Sequence, residues 1–271
     1  MFGALFLVPA GLTVLFSLSD WDGFRPAFGL VGLRHYADAF VDPYLQQAFT
    51  VTTGLTVVAI VILNLVALPL AALLAPIDAV TRVYRSIFFL PIVLSGVAVG
   101  FAWHTILGTN GVIDTVLAVA GISPPHVLAF PTPALWAMAF VAIWGSVAFP
   151  TLLYLAGIKS IPEELFEAAV MDGASSVQMF RRITLPLLKS QILLVNSLLI
   201  ISFMRLYDLV VVLTDGGPIR TTETVAYRLV YEAINRQNYA YGNAISVLLV
   251  VLLVGLVGLL ALAGRLTRSR A

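Results

Sequence analysis

The sequence predicts an all-α integral membrane protein, a bundle of six transmembrane helices interrupted by one polar helix-turn-helix hairpin. Three observations lead there. Of 271 residues, 60% are hydrophobic and 11% charged, whereas a soluble domain carries about 25% charged residues. Six apolar runs reach the roughly 20 residues that cross a bilayer as a helix. Between the fourth and fifth runs lies a charged island, Ser160 to Pro186, rich in caps and turn residues. The runs are continuous rather than alternating, which selects helices over barrel strands.

The runs fall at about 2–18, 49–74, 86–107, 134–155, 192–213 and 244–263, in one transmembrane domain spanning 1–271. The first begins at Met1-Phe2 with no basic residue before it and no small-residue cleavage site after it. It therefore reads as a span and not a removable signal peptide. Pro69, Pro91 and Pro150 remove backbone donors and are expected to kink or end their helices. Gly96 and Gly100 form a G-x-x-x-G step on the third run, which permits close helix approach; ordinary bundle packing accounts for these features.

Orientation follows from lysine and arginine in short loops. The loop after the second run carries Arg82 and Arg85. The loop after the fourth carries Lys159, Arg181, Arg182 and Lys189, and the C-terminal tail carries Arg265, Arg268 and Arg270. The three opposite loops are longer in total and hold Arg25, Arg34, Arg220, Arg228 and Arg236. Both termini and the polar island are therefore expected on the cytoplasmic side. A net charge of +1 gives no global field for nucleic acid. The absence of cysteine excludes disulfides, thiolate metal sites and cysteine nucleophiles.

Within the island, Ser160 and Glu163 have capping-box spacing around Pro162, which predicts a helix start. Ile161, Leu165 and Ala168/Ala169 then recur at helical spacing, and Gly173 is placed to end that helix in a left-handed conformation. Ser175 with Gln178 caps a second short helix, with Val177, Phe180 and Thr184 on one face and Pro186 at its close. Such a hairpin either lies flat on lipid or enters a protein socket. Membrane-surface helices present lysine and arginine; here Glu163, Glu164 and Glu167 make the first helix acidic, which favours the socket.

The pattern Glu167-Ala168-Ala169, three residues, Gly173, nine residues, then Ile183-Thr184-Leu185-Pro186 resembles the signature loop of membrane subunits of bacterial binding-protein-dependent ABC importers. Every fixed position matches. The chain is most similar to the sugar and glycerol-phosphate type, the maltose-type permease family. Supporting stretches are Val31-Gly32-Leu33 with Tyr36, Asp42-Pro43, Leu90-Pro91 with Trp103, Leu213 to Pro218, and Tyr241-Gly242-Asn243-Ala244. The resemblance implies coupling helices that seat in a cleft of a cytosolic ATPase dimer, through Glu167, Ala168, Ala169, Asp172, Gly173, Ala174, Phe180, Ile183, Leu185 and Pro186. It also implies a second, homologous permease subunit, an extracytoplasmic solute-binding protein, and a location in the bacterial inner membrane. Relatives of this kind carry a basic tail ahead of the first span, which this sequence lacks; either the start lies further upstream or later loops set the topology.

No G-x-x-x-x-G-K-[ST] phosphate loop occurs. The chain is thus expected to be non-catalytic and to bind no cofactor, with ATP and Mg used by the partner ATPase. Arg205 and Asp208 lie in the fifth run, where an ionisable group costs about 2.5–3.5 kcal/mol on insertion scales. Three residues apart, they are expected to share a helix face and to be able to pair. They either fix packing or border a polar pathway with Tyr207, and the resemblance favours the pathway. Phe203, Trp103 and Trp144 are further pathway candidates that could stack on sugar rings, although aromatic residues in spans commonly serve packing. Asp215-Gly216-Gly217-Pro218 is a tight turn that either merely connects spans or faces the binding protein. His35, His104 and His126 show no metal spacing.

Two other classes compete. A secondary transporter driven by an ion gradient predicts mid-membrane acids and internal symmetry, yet Asp208 is the one clear intramembrane acid. A membrane enzyme requires clustered acids, histidines or serines at catalytic spacing, and none is found. Which sugar or polyol phosphate is carried is not encoded in any of these motifs.

Overall fold

Lipid tails are as apolar as leucine, so helices in a membrane associate through close packing and buried polar contacts. The longest helix follows that rule residue by residue. A computed structural model describes residues 2–76 and 79–268. Its regular elements among the described residues are helical, with one isolated bridge between Ser19 and Leu30. Arg270, one of the orientation residues, lies outside them.

Helix α1 (Phe2–Ser17) leads through a loop to α2 (Arg34–Val41). Ser17 and Tyr36 share a hydroxyl bond at 2.7 Å, and His35 bonds the Ser19 carbonyl at 2.9 Å. Asp42 then caps α3 (Pro43–Leu73), accepting from the Tyr44 N–H, with Pro43 in the first turn where its missing donor costs nothing. The 31 residues of α3 are about 46 Å long, enough to cross a bilayer. Its inward face carries Ala48, Ala59, Ala67 and Ala71 between Leu45, Leu55 and Leu63, all buried. Its outward face shows Val57, Val61 and Leu65. Arg85 seals the far end, donating to the carbonyls of Leu74, Ala75 and Pro76. A cation there satisfies orphan carbonyls and complements the helix dipole.

The third run is broken. It takes in the end of α4 (Ala79–Phe89), a 3₁₀ turn at Leu90–Val93, and α5 (Gly96–Leu107), which restarts at Ser95. Ser95 Oγ accepts from the Ala98 N–H at 3.2 Å. Then come α6 (Val112–Val119), α7 (Pro131–Ser146) and α8 (Ala148–Lys159); the last two run on as a 29-residue apolar unit, Pro131–Lys159.

The hairpin comprises α9 (Glu163–Met171), α10 (Ser176–Met179), a π turn at Phe180–Thr184 and α11 (Leu185–Leu187). From Ser176–Leu187 the chain bends by 71° into α12 (Lys189–Met204). The fifth run is also broken, between α12 and α13 (Asp208–Leu213). After a long return come α14 (Val225–Val230), a π turn at Tyr231–Asn235 and α15 (Tyr239–Arg268).

Three helices among the described residues are continuous and apolar enough to cross a membrane: Pro43–Leu73, Pro131–Lys159 and Tyr239–Leu262. The bent pair around Leu188 passes the same length and composition test only when its two arms are counted together, and Leu5–Ser17 is a shorter apolar helix. The fold is thus helical as expected, but among the described residues three helices, and not six, are each long and apolar enough to cross unbroken; the third and fifth expected runs are divided among shorter pieces.

One core joins α3, α7, α8, α12 and α13 through Leu63, Met138, Val141, Tyr154, Leu199 and Leu213. A second ties α15 to α3 and α12 through Leu45, Ile200, Met204, Val225 and Ile245. At mid-bundle, the Asn64 amide donates to Asn196 Oδ1 at 2.7 Å and its Oδ1 accepts from the Tyr154 hydroxyl at 2.5 Å. This polar knot fastens α3, α8 and α12. The G-x-x-x-G step does what its small residues allow: a Cβ at Gly100 would stand 3.0 Å from Val212 Cβ, so α5 lies hard against α13.

Candidate functional site

The hairpin is locally self-sufficient. Pro162, with ψ of 133°, precedes α9, and Glu163 and Glu164 sit in the first turn, favourably placed in the helix dipole. Ser160 does not cap α9. It ends α8 instead, its hydroxyl donating to the Gly157 carbonyl at 2.7 Å; the fixed φ of Pro162 starts the next helix without a side-chain cap. Gly173 adopts φ +75°, where a Cβ is strained. Its N–H donates to the Val170 carbonyl at 3.0 Å and the Ala174 N–H to the Ala169 carbonyl at 2.9 Å. Those two bonds form a Schellman closure. Ser175 and Gln178 then form the expected reciprocal box: Gln178 Oε1 accepts from the Ser175 N–H at 2.7 Å, and Ser175 Oγ from the Gln178 N–H at 3.4 Å.

The motif residues divide between root and tip. Phe180 and Leu185 pack against the core, Ile183 is half-buried, and Thr184 and Leu188 are buried beneath them. Leu188 presses on Gly157, where a Cβ would come within 2.8 Å of it, and the Gln191 amide donates to the Leu153 carbonyl at 3.2 Å. The tip is different. Glu167, Ala168, Asp172, Gly173 and Pro186 are exposed, Ala169 and Ala174 half-buried, and no residue of α9 is buried. Leu165, Val170 and Val177 are exposed beside them, and Met171 is 87% exposed.

At the other end of α12 lies the break. Arg205 closes α12 with φ −99° and ψ 13°, Tyr207 precedes α13, and Arg205 and Asp208 are both exposed. They make no ion pair with each other: the one-face argument needs a continuous helix, and the helix is interrupted between them. Asp208 faces the third run, its Cβ 3.7 Å from where a Cβ on Gly96 would be. Phe203 is buried in the core at 2% exposure and so packs. Trp103 meets Phe140 and Trp144 edge-on at 5.4 and 5.6 Å, with Trp144 partly exposed.

Against this break lies a charge cluster built on three of the loop arginines, Arg220, Arg228 and Arg236. Arg228 and Glu232 are each 1% exposed and pair at 2.6 Å. Around them stand Glu223 at 3.6 Å, Asp42 at 3.7 Å and, on Glu232, Arg236 at 3.4 Å. Arg220 lies 3.8 Å from Glu223 and stacks over the Tyr44 ring at 4.1 Å. Burial pushes the Glu223 carboxyl above its ordinary range, against the opposing pull of Arg228 and Arg220. The i,i+4 spacing of Arg228 and Glu232 was a visible signal; the approach of Asp42 from the start of α3 had none. The Asp215–Pro218 turn stands beside the cluster, Asp215 accepting from the Tyr227 hydroxyl at 3.0 Å, with Ile219 82% exposed.

The histidines have structural partners: His104 bonds the Leu213 carbonyl at 2.9 Å and His126 bonds Asp114 at 2.7 Å. No group of metal-ligating side chains occurs among the described residues.

Residues 67–269 match the model of a protein family described as "Binding-protein-dependent transport system inner membrane component". The chain belongs to this family. The inner membrane component is 31% identical to the trehalose/maltose transport system permease protein MalF of Thermococcus litoralis, across 97% of this chain and 89% of that relative. It is 32% identical to the multiple sugar-binding transport system permease protein MsmF of Streptococcus mutans, covering 91% and 85%. The diacetylchitobiose uptake system permease protein NgcF of Streptomyces coelicolor is 28% identical, covering 96% and 78%. Its fold is shared with a bacterial ABC transporter involved in import of the acidic polysaccharide alginate, with TM-score 0.80, 21% identity, and 97% and 91% of the two chains covered. It is a multi-pass membrane protein of the ABC-importer permease kind.

Proposed function

We propose that this chain forms half of the translocation route of an ATP-driven carbohydrate importer and receives its motion through the 160–186 hairpin. The observation that carries the reading is the asymmetry of that hairpin. Its root is buried between α8 and α12, whereas α9 is rigidly closed at Gly173 yet leaves Leu165, Val170 and Met171 uncovered. A self-closed helix with an uncovered apolar edge is built for a protein cleft. The cleft is that of a cytosolic ATPase dimer, which binds the ATP and Mg; this chain supplies no catalytic group and no cofactor site.

The substrate class rests on relatives named for trehalose/maltose, diacetylchitobiose and multiple sugars. A similar transporter was solved in complex with an alginate pentasaccharide-bound periplasmic protein, which supports a solute-binding protein on the outer side here. Arg205, Tyr207 and Asp208, with Trp103 and Trp144, border the route; Phe203 supports it from the core. A second permease subunit completes the enclosure, since one such bundle is too small to surround an oligosaccharide. Arginine and lysine placement puts the hairpin and both termini in the cytoplasm, opposite the Asp215–Pro218 turn.

The test is gentle solubilisation and mass spectrometry of the retained proteins. Recovery of an ATPase with a second permease, lost on Glu167→Arg or Gly173→Asp, supports the reading. Recovery of the chain without any ATPase overturns it.

A further inference from the structure

The break in the fifth run needs a cause. The run contains neither proline nor glycine between Ile192 and Leu213, and an apolar segment in a membrane defaults to unbroken helix because every carbonyl must find a partner. Here one partner comes from outside the helix. Thr224 Oγ1 donates to the Leu206 carbonyl at 2.7 Å, and the Tyr227 ring packs against Tyr207 at 6.5 Å. Both residues belong to the start of α14, where Thr224 also caps the helix by accepting from the Tyr227 N–H at 3.2 Å.

What holds α14 in that place is the buried charge cluster. Arg228, one turn beyond Thr224, is fixed tightly by Glu232 on its own side, whereas its contacts to Glu223 and Asp42 are longer than hydrogen bonds. The Arg228 Nε and Nη1 and Glu223 Oε2 are buried without a hydrogen-bond partner. The fastening to α3 is therefore made by the charge of Asp42, by the Tyr44 ring 5.2 Å from the guanidinium, by Val225 packed with Leu45 and Ala48, and by two bonds. In those bonds the Val225 N–H donates to Thr52 Oγ1 at 2.9 Å and the Gln47 amide to the Arg220 carbonyl at 3.2 Å.

We infer that Arg228 is a positioning residue for translocation: by anchoring α14 against Asp42 at the start of α3, with Glu223 closing the cluster from the loop before Thr224, it keeps Thr224 on the Leu206 carbonyl and so holds the fifth helix open at Arg205–Asp208. This rests on the reading that the break borders the route.

The chain has no cysteine, so Asp208→Cys gives a single thiol to follow. The reporter is made in the complete transporter in membrane vesicles of both orientations, alone and combined with Arg228→Met, Arg228→Lys or Thr224→Val. The rate of reaction with a charged, membrane-impermeant maleimide is measured. Met171→Cys in the hairpin serves as the control thiol for assembly. The parent reporter is expected to label. Arg228→Met slows it about tenfold, the population change equivalent to ~1.4 kcal/mol, with Met171→Cys unaffected and Arg228→Lys restoring part of the rate. If Arg228→Met fails to assemble, Thr224→Val, which removes the Leu206 bond and leaves the cluster whole, must produce the slowing. An Asp208→Cys labelling rate unchanged by Thr224→Val and Arg228→Met overturns the inference and leaves the route standing. A parent reporter that never labels overturns the route itself, and the inference with it.

Discussion

Gly173 permits a sharp test because its surroundings are empty. Its φ is +75°, and nothing in the chain lies within 4 Å of the place a Cβ would occupy. Substitution therefore carries a backbone cost alone, about 1–2 kcal/mol for a non-glycine residue in the left-handed region, less for asparagine. An aspartate adds an anion at the C-terminal end of α9, unfavourable by a further 0.3–1 kcal/mol or so. The isolated chain should thus tolerate Gly173→Asn best; aspartate shares much of that backbone tolerance but loses part of it to the dipole, which leaves Gly173→Asp and Gly173→Ala comparable. Because no α9 residue is buried, thermal unfolding in detergent should move little in all three. Coupling is another matter. If the ATPase cleft closes over this turn, even the alanine Cβ has no room, and substrate uptake per ATP hydrolysed should fall by far more than the tenfold that ~1.4 kcal/mol explains. The assay is uptake and hydrolysis measured together in proteoliposomes. Uptake unchanged in Gly173→Asp would refute the coupling role. Losses ranked by backbone cost alone would refute the closed cleft.

Other substitutions probe the bundle. Gly100→Val drives a side chain into Val212, already 3.0 Å from the Cβ position, and should destabilise by about 1–3 kcal/mol as overpacking does, read as a lowered melting temperature. Tyr154→Phe removes the 2.5 Å bond to Asn64 and should cost roughly 0.6 kcal/mol, the average for such bonds in membranes, with a double-mutant cycle to Asn64→Leu measuring the coupling. Glu223 has its folded-state pKa raised by burial. Its contribution to stability is therefore present below the unfolded value and lost as pH rises through the folded one. Relative to the parent, Glu223→Gln should gain thermal stability as the pH is raised from the acid side through the carboxylate range, and a flat difference would contradict the assignment.

The parts that were legible in the sequence are those decided within a few residues. Gly173, Ser175 and Gln178 fix the hairpin through bonds spanning three to five positions, so their spacing alone predicted it. Ser160 misled because two helices compete for it, and the end of α8 uses its hydroxyl first. Hydropathy marks apolar runs but not the breaks in them, since a window averages composition and is blind to where a carbonyl finds its donor. The partner of Leu206 is Thr224, and the partners of Arg228 include Asp42; neither pairing leaves a local trace. Treating 192–213 as one helix then produced an Arg205–Asp208 pair that the broken backbone does not make.

If the hairpin receives the ATPase's motion as proposed, the 71° bend at Leu188 makes the hairpin and α12 a crank. The throw arm is the hairpin, and the shaft is α12, whose 16 residues measure about 24 Å. The elbow is keyed, not hinged, because Leu188 sits on Gly157 and Gln191 holds the Leu153 carbonyl. Torque applied at Met171 is therefore shared between α8 and α12, which the Asn64 knot binds to α3 further along. Filling Gly157 with a larger side chain would strip the key: the arm could swing while the shaft stood still.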